Sequence, residues 1–263
     1  MDPRPCLIGL DEAEIVDLQG RFDQPVLAYE TLPRIWVQDG RLFVESASRF
    51  RMLPVSAVVY HGIFADDWDL IAGLALWGGP CMPAAQAMLD CRLKFSCLVR
   101  ALGFTMFGEP RRGFVSAGLE VEFADEQVAK WGNWHCGENK ARVHHTWRAE
   151  QAAIVEPYLS GRAVRVVVIG ERAWQIELAG DDWLKSIHHR GAQLMPTDER
   201  LVADTLQVAG RFGLEIAAND YIVTADDHAH LLEVNHIPNV TRFPEIWDAY
   251  ATYVTEWLKS RAT

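Results

Sequence analysis

LEIAANDYIVTADDHAHLLEVN, residues 214–235, consists of two apolar runs joined by the polar turn TADDHA, which is the pattern of a β-hairpin. Residues two apart on a strand share a face, so Glu233 and Asn235 project together from the second run. Asp220, set in the apolar first run, faces Glu233 across the ladder. Two carboxylates on neighbouring strands repel each other unless positive charge lies between them. One reading is a divalent cation on Asp220, Glu233 and Asn235, because hard cations such as Mg²⁺ prefer oxygen ligands. The other is structural: Asp220 at a bulge, Glu233 paired with a lysine, and Asn235 opening a turn. A proline, Pro238, follows and ends the strand's reach.

The chain around this hairpin has 263 residues, 49% of them hydrophobic, and a mean hydropathy of −0.04. That is enough for one large or two modest cores. Net charge is −11 and the pI is near 5.3, which argues against nucleic-acid or anionic-membrane partners, since nothing basic is concentrated enough to neutralise many phosphates. A local basic pocket for one small polyphosphate is compatible with it. The five cysteines (Cys6, Cys81, Cys91, Cys97 and Cys136) form no CxxC pair and fit a reducing cytoplasm better than a disulfide framework or a zinc ribbon. The first apolar stretch, within MDPRPCLIGLDEAEIVDL, carries acids and is unlike a signal peptide. No run approaches the ~18 apolar residues of a membrane span. The expectation is a soluble, cytoplasmic protein.

Strands and helices are mixed along the chain. PVLAY, RIWVQDGRLFVES and SAVVYHGIF read as strands, with a hairpin at the Asp-Gly. DDWDLIAGLALWGG reads as a helix closed by glycines, and residues 84–102 as one long helix stopped at Gly103. GEPRRGF is a loop. LEVEF, DEQVAKWGN and KARVHHTW are strands, and RAVRVVVIG pairs with ERAWQIEL around Gly170. DERLVADTLQVAGRFG and PEIWDAYATYVTEWLKSRA are helices. Adjacent histidines on a strand point to opposite faces, so neither 144–145 nor 188–189 makes a two-ligand zinc site. His188 is a candidate substrate contact. Cys136 is a candidate reactive thiol if Lys130 and Lys140 depress its pKa. Arg165 interrupts an apolar strand and requires an anionic partner, for example a carboxylate across the sheet such as Glu156 or Asp182.

Four stretches carry a family pattern in order between about residues 84 and 240. They are VAKWGNWHCGENKARV, where Lys130 precedes Gly132, His135, Gly137 and Lys140; IVEPYLSGRAVRVVVIGERAWQIEL; DDWLKSIHHRGAQ; and RFGLEIAANDYIV with LLEVNHIPN. Together they resemble the ATP-grasp superfamily, in particular the ribosomal-protein glutamate ligases, glutathione synthetase-like ligases and synapsins. The resemblance implies an α+β fold: a small leading α/β lobe over 1–88, a central lid lobe over 89–155, and a C-terminal lobe over 156–263 built on an antiparallel sheet. It implies Mg²⁺ on Asp220, Glu233 and Asn235. It places ATP on Arg92 (with Lys94 as second choice), Lys130 and Lys185, with the adenine at the hinge Val155, Glu156, Pro157 and Tyr158. Arg165 would be the catalytic arginine. The implied activity is an ATP- and Mg²⁺-dependent carboxylate–amine ligase that works through an acyl phosphate and releases ADP and phosphate. Its substrates would be a small-molecule or peptide carboxylate and an amine, and a homodimer is left open. The alternative is a non-catalytic ATP-binding regulatory module, as in synapsins. The chain departs from the family pattern at Glu138 and Asn139, where small residues are usual, and at Ala163, Leu178, Ser186 and Asn239.

Overall fold

The computed structural model describes residues 2–48, 51–108, 112–132 and 138–261. In chain order the elements are β1 (Arg4–Ile8), α1 (Glu12–Gln19), β2 (Leu27–Tyr29), β3 (Ile35–Gln38), β4 (Arg41–Glu45), β5 (Met52–Tyr60), α2 (Trp68–Trp77), β6 (Cys81–Met82), α3 (Ala85–Cys91) and α4 (Lys94–Leu102). They continue with β7 (Gly113–Val115), β8 (Glu120–Trp131), β9 (Lys140–Arg148), β10 (Ala153–Pro157), β11 (Gly161–Ile169), β12 (Arg172–Glu177), β13 (Gln193–Met195), α5 (Glu199–Phe212), β14 (Ile216–Thr224), β15 (Ala229–Asn235) and α6 (Pro244–Arg261). This is the α+β composition expected. No helix among the described residues is long and apolar enough to cross a membrane. The chain divides into two compact units, one of Met1–Asp90, Phe212–Ile216 and His236–Thr263, the other of Cys91–Arg211 and Ala217–Asn235.

The first unit holds a sheet of order β2-β1-β5-β4-β3, with β6 also on β5. β1 runs parallel to β2 and β5, while β3, β4 and β5 are antiparallel. The Asp-Gly signal is realised at Asp39 and Gly40, whose φ values of 51° and 69° put both residues in the left-handed region. That is the two-residue turn whose twist matches a hairpin. Asp11 and Glu14 cap α1 reciprocally, each side chain accepting from the other's backbone N–H at 2.9 Å, a local signal present in the sequence as D-x-x-E. α6 covers this sheet at β5. It is tied to the region of α1 by Trp247 Nε1 donating to Asp17 at 2.9 Å and by Arg21 on Asp248 at 3.2 Å.

The second unit holds two antiparallel arrangements. β7-β10-β8-β9 form one sheet around Ala129, Val143, Ala153 and Val155. β13-β12-β11-β14-β15 form the other, with β11 buried from Ala163 to Ile169 except at Arg165. LEVEF and DEQVAKW form a single strand, β8, whose pairing with β9 slips between Phe123 and Gln127.

Two expectations are corrected. Residues 84–102 form two helices, because Leu93 takes an extended backbone (φ −92°, ψ 116°) and interrupts the helical ladder. The His144 and His145 rings do not diverge; they stack with centroids 4.9 Å apart. His145 sits at φ 53°, and a left-handed residue breaks the alternation of faces on which the expectation rested.

Candidate active site

In the second unit a cleft of about 400 Å³ is lined by the ends of β8, β9, β10, β14 and β15 and by the segment between β12 and β13. Val128, Ala163, Leu178 and Leu232 give it apolar walls, and Lys130, Glu156, Asp220 and Glu233 give it a charged floor. The hairpin geometry is as the sequence indicates. Asp220 is paired with Glu233 and Ala218 with Asn235 across β14 and β15, with the register slipping between Asp220 and Tyr221.

Each floor carboxylate is held by cations from distant parts of the chain. Lys94 Nζ lies 2.7 Å from Glu233 Oε1, 2.9 Å from Asn235 Oδ1 and 3.1 Å from the Val234 carbonyl. Lys140 Nζ lies 3.2 Å from Glu233 Oε2. Arg165 grips Asp220 with two bonds, at 2.6 and 2.8 Å. Glu156 sits between Lys130 and Arg112, the latter at 2.6 Å, and Arg112 also donates to the Leu231 carbonyl at 2.5 Å. Lys94, Lys130 and Glu156 are each 3% exposed. Burial alone would raise the Glu233 carboxyl, but the Lys94 and Lys140 ammoniums overcome it and hold the group well below the usual carboxylate range. Burial likewise opposes ionisation of Glu156, and Lys130 with Arg112 reverses the sign. Five cations thus stand on three carboxylates, in a chain whose overall charge is −11. An anion entering the cleft meets surplus positive charge.

The structural reading of the hairpin is therefore realised: a register slip beside Asp220, and lysines on Glu233. The same oxygens also fit a hard cation. Glu233 Oε1, Asn235 Oδ1 and the Val234 carbonyl already surround one positive charge at 2.7–3.1 Å, and oxygens that solvate an ammonium are the donor type Mg²⁺ takes. Among the described residues no three His, Cys, Asp or Glu side chains cluster as a self-sufficient metal cage.

The other candidates fall in different places. Pro157, Tyr158 and Lys185 line the cleft. Val155 is buried in the β7–β10 sheet core instead. Lys185 Nζ donates to the Gly180 and Asp182 carbonyls at 3.0 and 2.5 Å. Arg92 and Lys94 are both buried and neither is in the cleft lining; Lys94, just past the helix break, is the one that meets the carboxylates beneath it. His188 is exposed and off the cleft. His135, Cys136 and Gly137 lie outside the described residues. Asn139, at a family position for a small residue, has φ 56°, a conformation asparagine tolerates better than most side chains, and Glu138 is exposed. Arg112, Arg142 and Trp183 were not anticipated. The Arg142 guanidinium lies 4.1 Å from the Tyr158 ring centroid and is held by Glu126, while Trp183 meets Tyr158 edge-on at 6.5 Å.

No family model matches the sequence, and no curated protein does. Solved structures do match. The ATP-grasp ligase PsnB, complexed with a minimal precursor, superposes with a TM-score of 0.66 at 15% identity, covering 100% of this chain and 99% of that one. D-alanyl-alanine synthetase A from Vibrio cholerae gives 0.66 at 13% identity over 99% and 98%. The macrocyclase MdnC from Microcystis aeruginosa, bound with the precursor peptide MdnA, gives 0.62 at 15% over 96% and 99%. PsnB has also been solved with Mg and ADP.

The chain has the ATP-grasp fold.

In ATP-grasp terms, the stretches that carried the resemblance meet in one place. Lys130, Glu156, Asp220 and Glu233, drawn from three of the four motifs, line the same cleft. The fourth motif supplies Asp182, Trp183 and Lys185 to its rim.

Proposed function

We propose that the protein is an ATP-dependent carboxylate–amine ligase. What carries this reading is the cleft floor, where carboxylates and an amide suited to a cation stand among surplus cations suited to a polyphosphate. The fold shared with PsnB, MdnC and D-alanyl-alanine synthetase A supports it. The partition into lobes at 1–88, 89–155 and 156–263 belongs to the same proposal.

In this reading Lys130, Lys140 and Lys94 hold the phosphates, and Pro157 and Tyr158 bound the base alongside the apolar walls. Arg92, buried and outside the cleft lining, is not assigned a phosphate contact in this reading. Asp220, Glu233 and Asn235 would hold Mg²⁺, and the chemistry it would supply is to offset phosphate charge during phosphoryl transfer. The substrate carboxylate oxygen takes the γ-phosphorus, the bond from that phosphorus to the bridging oxygen breaks, and ADP leaves. The amine nitrogen then attacks the acyl carbon, a C–N bond forms, phosphate departs and the amine loses a proton. Arg165, paired with the cleft residue Asp220, is the residue this reading assigns to the anionic acyl phosphate. The preorganised charges supply most of the transition-state stabilisation. No side chain in the cleft is assigned as the base, since a neutral amine needs little help. Precursor peptides bound to PsnB and MdnC favour a peptide as one of the two substrates.

The test is thermal unfolding with and without Mg·ATP, on the parent and on Glu233→Gln. Ligand at ~100 times Kd adds ~2.7 kcal/mol, a rise of roughly 5–11 °C at about 2–4 °C per kcal/mol for a chain of this size. A shift in the parent that is lost in the variant supports the reading; no shift at millimolar Mg·ATP overturns it. Acceptor-dependent ADP release then separates a ligase from a binding module.

A further inference from the structure

The oxygens that would take a metal are all engaged by the chain's own cations. Both Asp220 oxygens lie on Arg165, Glu233 Oε2 on Lys140, and Glu233 Oε1 and Asn235 Oδ1 on Lys94. Lys94 is the most completely enclosed of the three: 3% exposed, with a third oxygen, the Val234 carbonyl, at 3.1 Å. It has this position because Leu93 breaks the helix and α4 begins at Lys94, directly against β15. Its ammonium sits among three oxygens, at 2.7–3.1 Å, of the donor type a hard cation takes.

A dication approaching this place alone meets two carboxylates already matched by three cations. It must displace an ammonium from its oxygens or share them with it at like-charge repulsion. A polyphosphate changes both terms. It offers Lys94 and Lys140 an anion of their own and brings further oxygens for the metal. We infer that Lys94 is a resident cation that keeps the metal site closed until a polyphosphate arrives, so that the protein takes its divalent ion only together with nucleotide. This rests on the nucleotide reading above and adds an order of events and a residue that enforces it.

The experiment titrates Mn²⁺ alone, followed by loss of the free-ion electron paramagnetic resonance signal, into the parent, Lys94→Met and Lys94→Arg. Methionine retains the buried stem and removes the charge; arginine retains the charge. The expected result is that Lys94→Met binds Mn²⁺ about tenfold or more tightly than the parent, because one like charge is gone, while Lys94→Arg does not. Once ADP is added, the parent takes up Mn²⁺ beyond what the same ADP binds in protein-free buffer. Parent protein that binds Mn²⁺ alone as tightly as with ADP overturns the inference, as does Lys94→Met binding no more tightly than the parent. If Lys94→Met does not fold, the parent with and without ADP, set beside Lys94→Arg, decides the matter. A parent that is stabilised by Mg·ATP yet fails these tests sinks this inference alone. A parent that shows no stabilisation by Mg·ATP removes both.

Discussion

Arg165 on β11 and Asp220 on β14 face each other in a two-pronged ion pair, Nε to Oδ1 at 2.6 Å and Nη2 to Oδ2 at 2.8 Å. Each is a charge set in an apolar strand, and each answers the other. The sequence offered Glu156 or Asp182 as the arginine's partner; the strand order puts Asp220 there instead, with β11 beside β14. The side chains are 13% exposed, so loss of one partner leaves a largely buried charge. Arg165→Met is expected to lower stability in urea by about 3 kcal/mol. Arg165→Lys retains the charge but not the fork, and is expected to cost about 1 kcal/mol.

Behind the cleft, Asp204 is fully buried and accepts from Thr105 Oγ1 at 2.8 Å, from Met106 N at 2.5 Å and from the Tyr221 hydroxyl at 2.7 Å. The same hydroxyl meets Thr205 and Asn219. This network pins α5 to β14 next to the register slip at Asp220. Asp204→Ala strands three donors and is expected to cost about 3 kcal/mol or more. Because Tyr221 shares the network, Tyr221→Phe on top of it should add far less than it does alone, which a double-mutant cycle measures.

Acid should unfold the protein through two carboxylates. Glu156 and Glu233 are both held below their unfolded value in the folded state. Below the unfolded pKa of about 4.3 the unfolded chain therefore binds more protons than the folded one, and stability falls as pH falls. Their contribution is complete above that pKa and drains away below it. The melting temperature followed from neutral pH to pH ~2.5 should drop steeply below about pH 4.3, and the double variant Glu156→Gln/Glu233→Gln should flatten that drop while starting from a lower melting point at neutral pH.

Gly161 opens β11 at the cleft, where a Cβ would lie 2.4 Å from the Val223 carbonyl oxygen. That oxygen belongs to the backbone, so it yields only if β11 and β14 part. Gly161→Ala is expected to cost about 2 kcal/mol, and to weaken Mg·ATP stabilisation by more than the change in melting temperature explains. Paired thermal scans with and without ligand would show this.

Much of the site was legible because it is local. Alternation along LEIAANDYIV and HLLEVN is enough to set Asp220 opposite Glu233, and a hairpin's register needs no distant information. Lys94 was less legible. The helix break that delivers it has neither glycine nor proline, so propensity continues the helix through Leu93, and the family spacing counted back from Gly103 along that helix favours Arg92. Arg112 carried no signal, since an arginine in a loop looks solvated until β10 brings Glu156 beneath it. Val155 shows the limit of a motif: the pattern marks the strand but does not say which side chains of that strand turn into its own sheet. His145 shows the limit of alternation, which holds only while φ stays negative.

The placement of α6 has a consequence for how the protein is made. The first sheet is complete at β6, yet the helix that covers β5 is α6, and of the residues between them only 83–90, Phe212–Ile216 and those from His236 onward belong to the first unit. A nascent chain leaves the ribosome with an unsealed apolar sheet and holds it so while the whole second unit is translated. That unit can close around its own cations first. Vectorial synthesis thus favours folding the cleft-bearing unit before the unit that begins the chain.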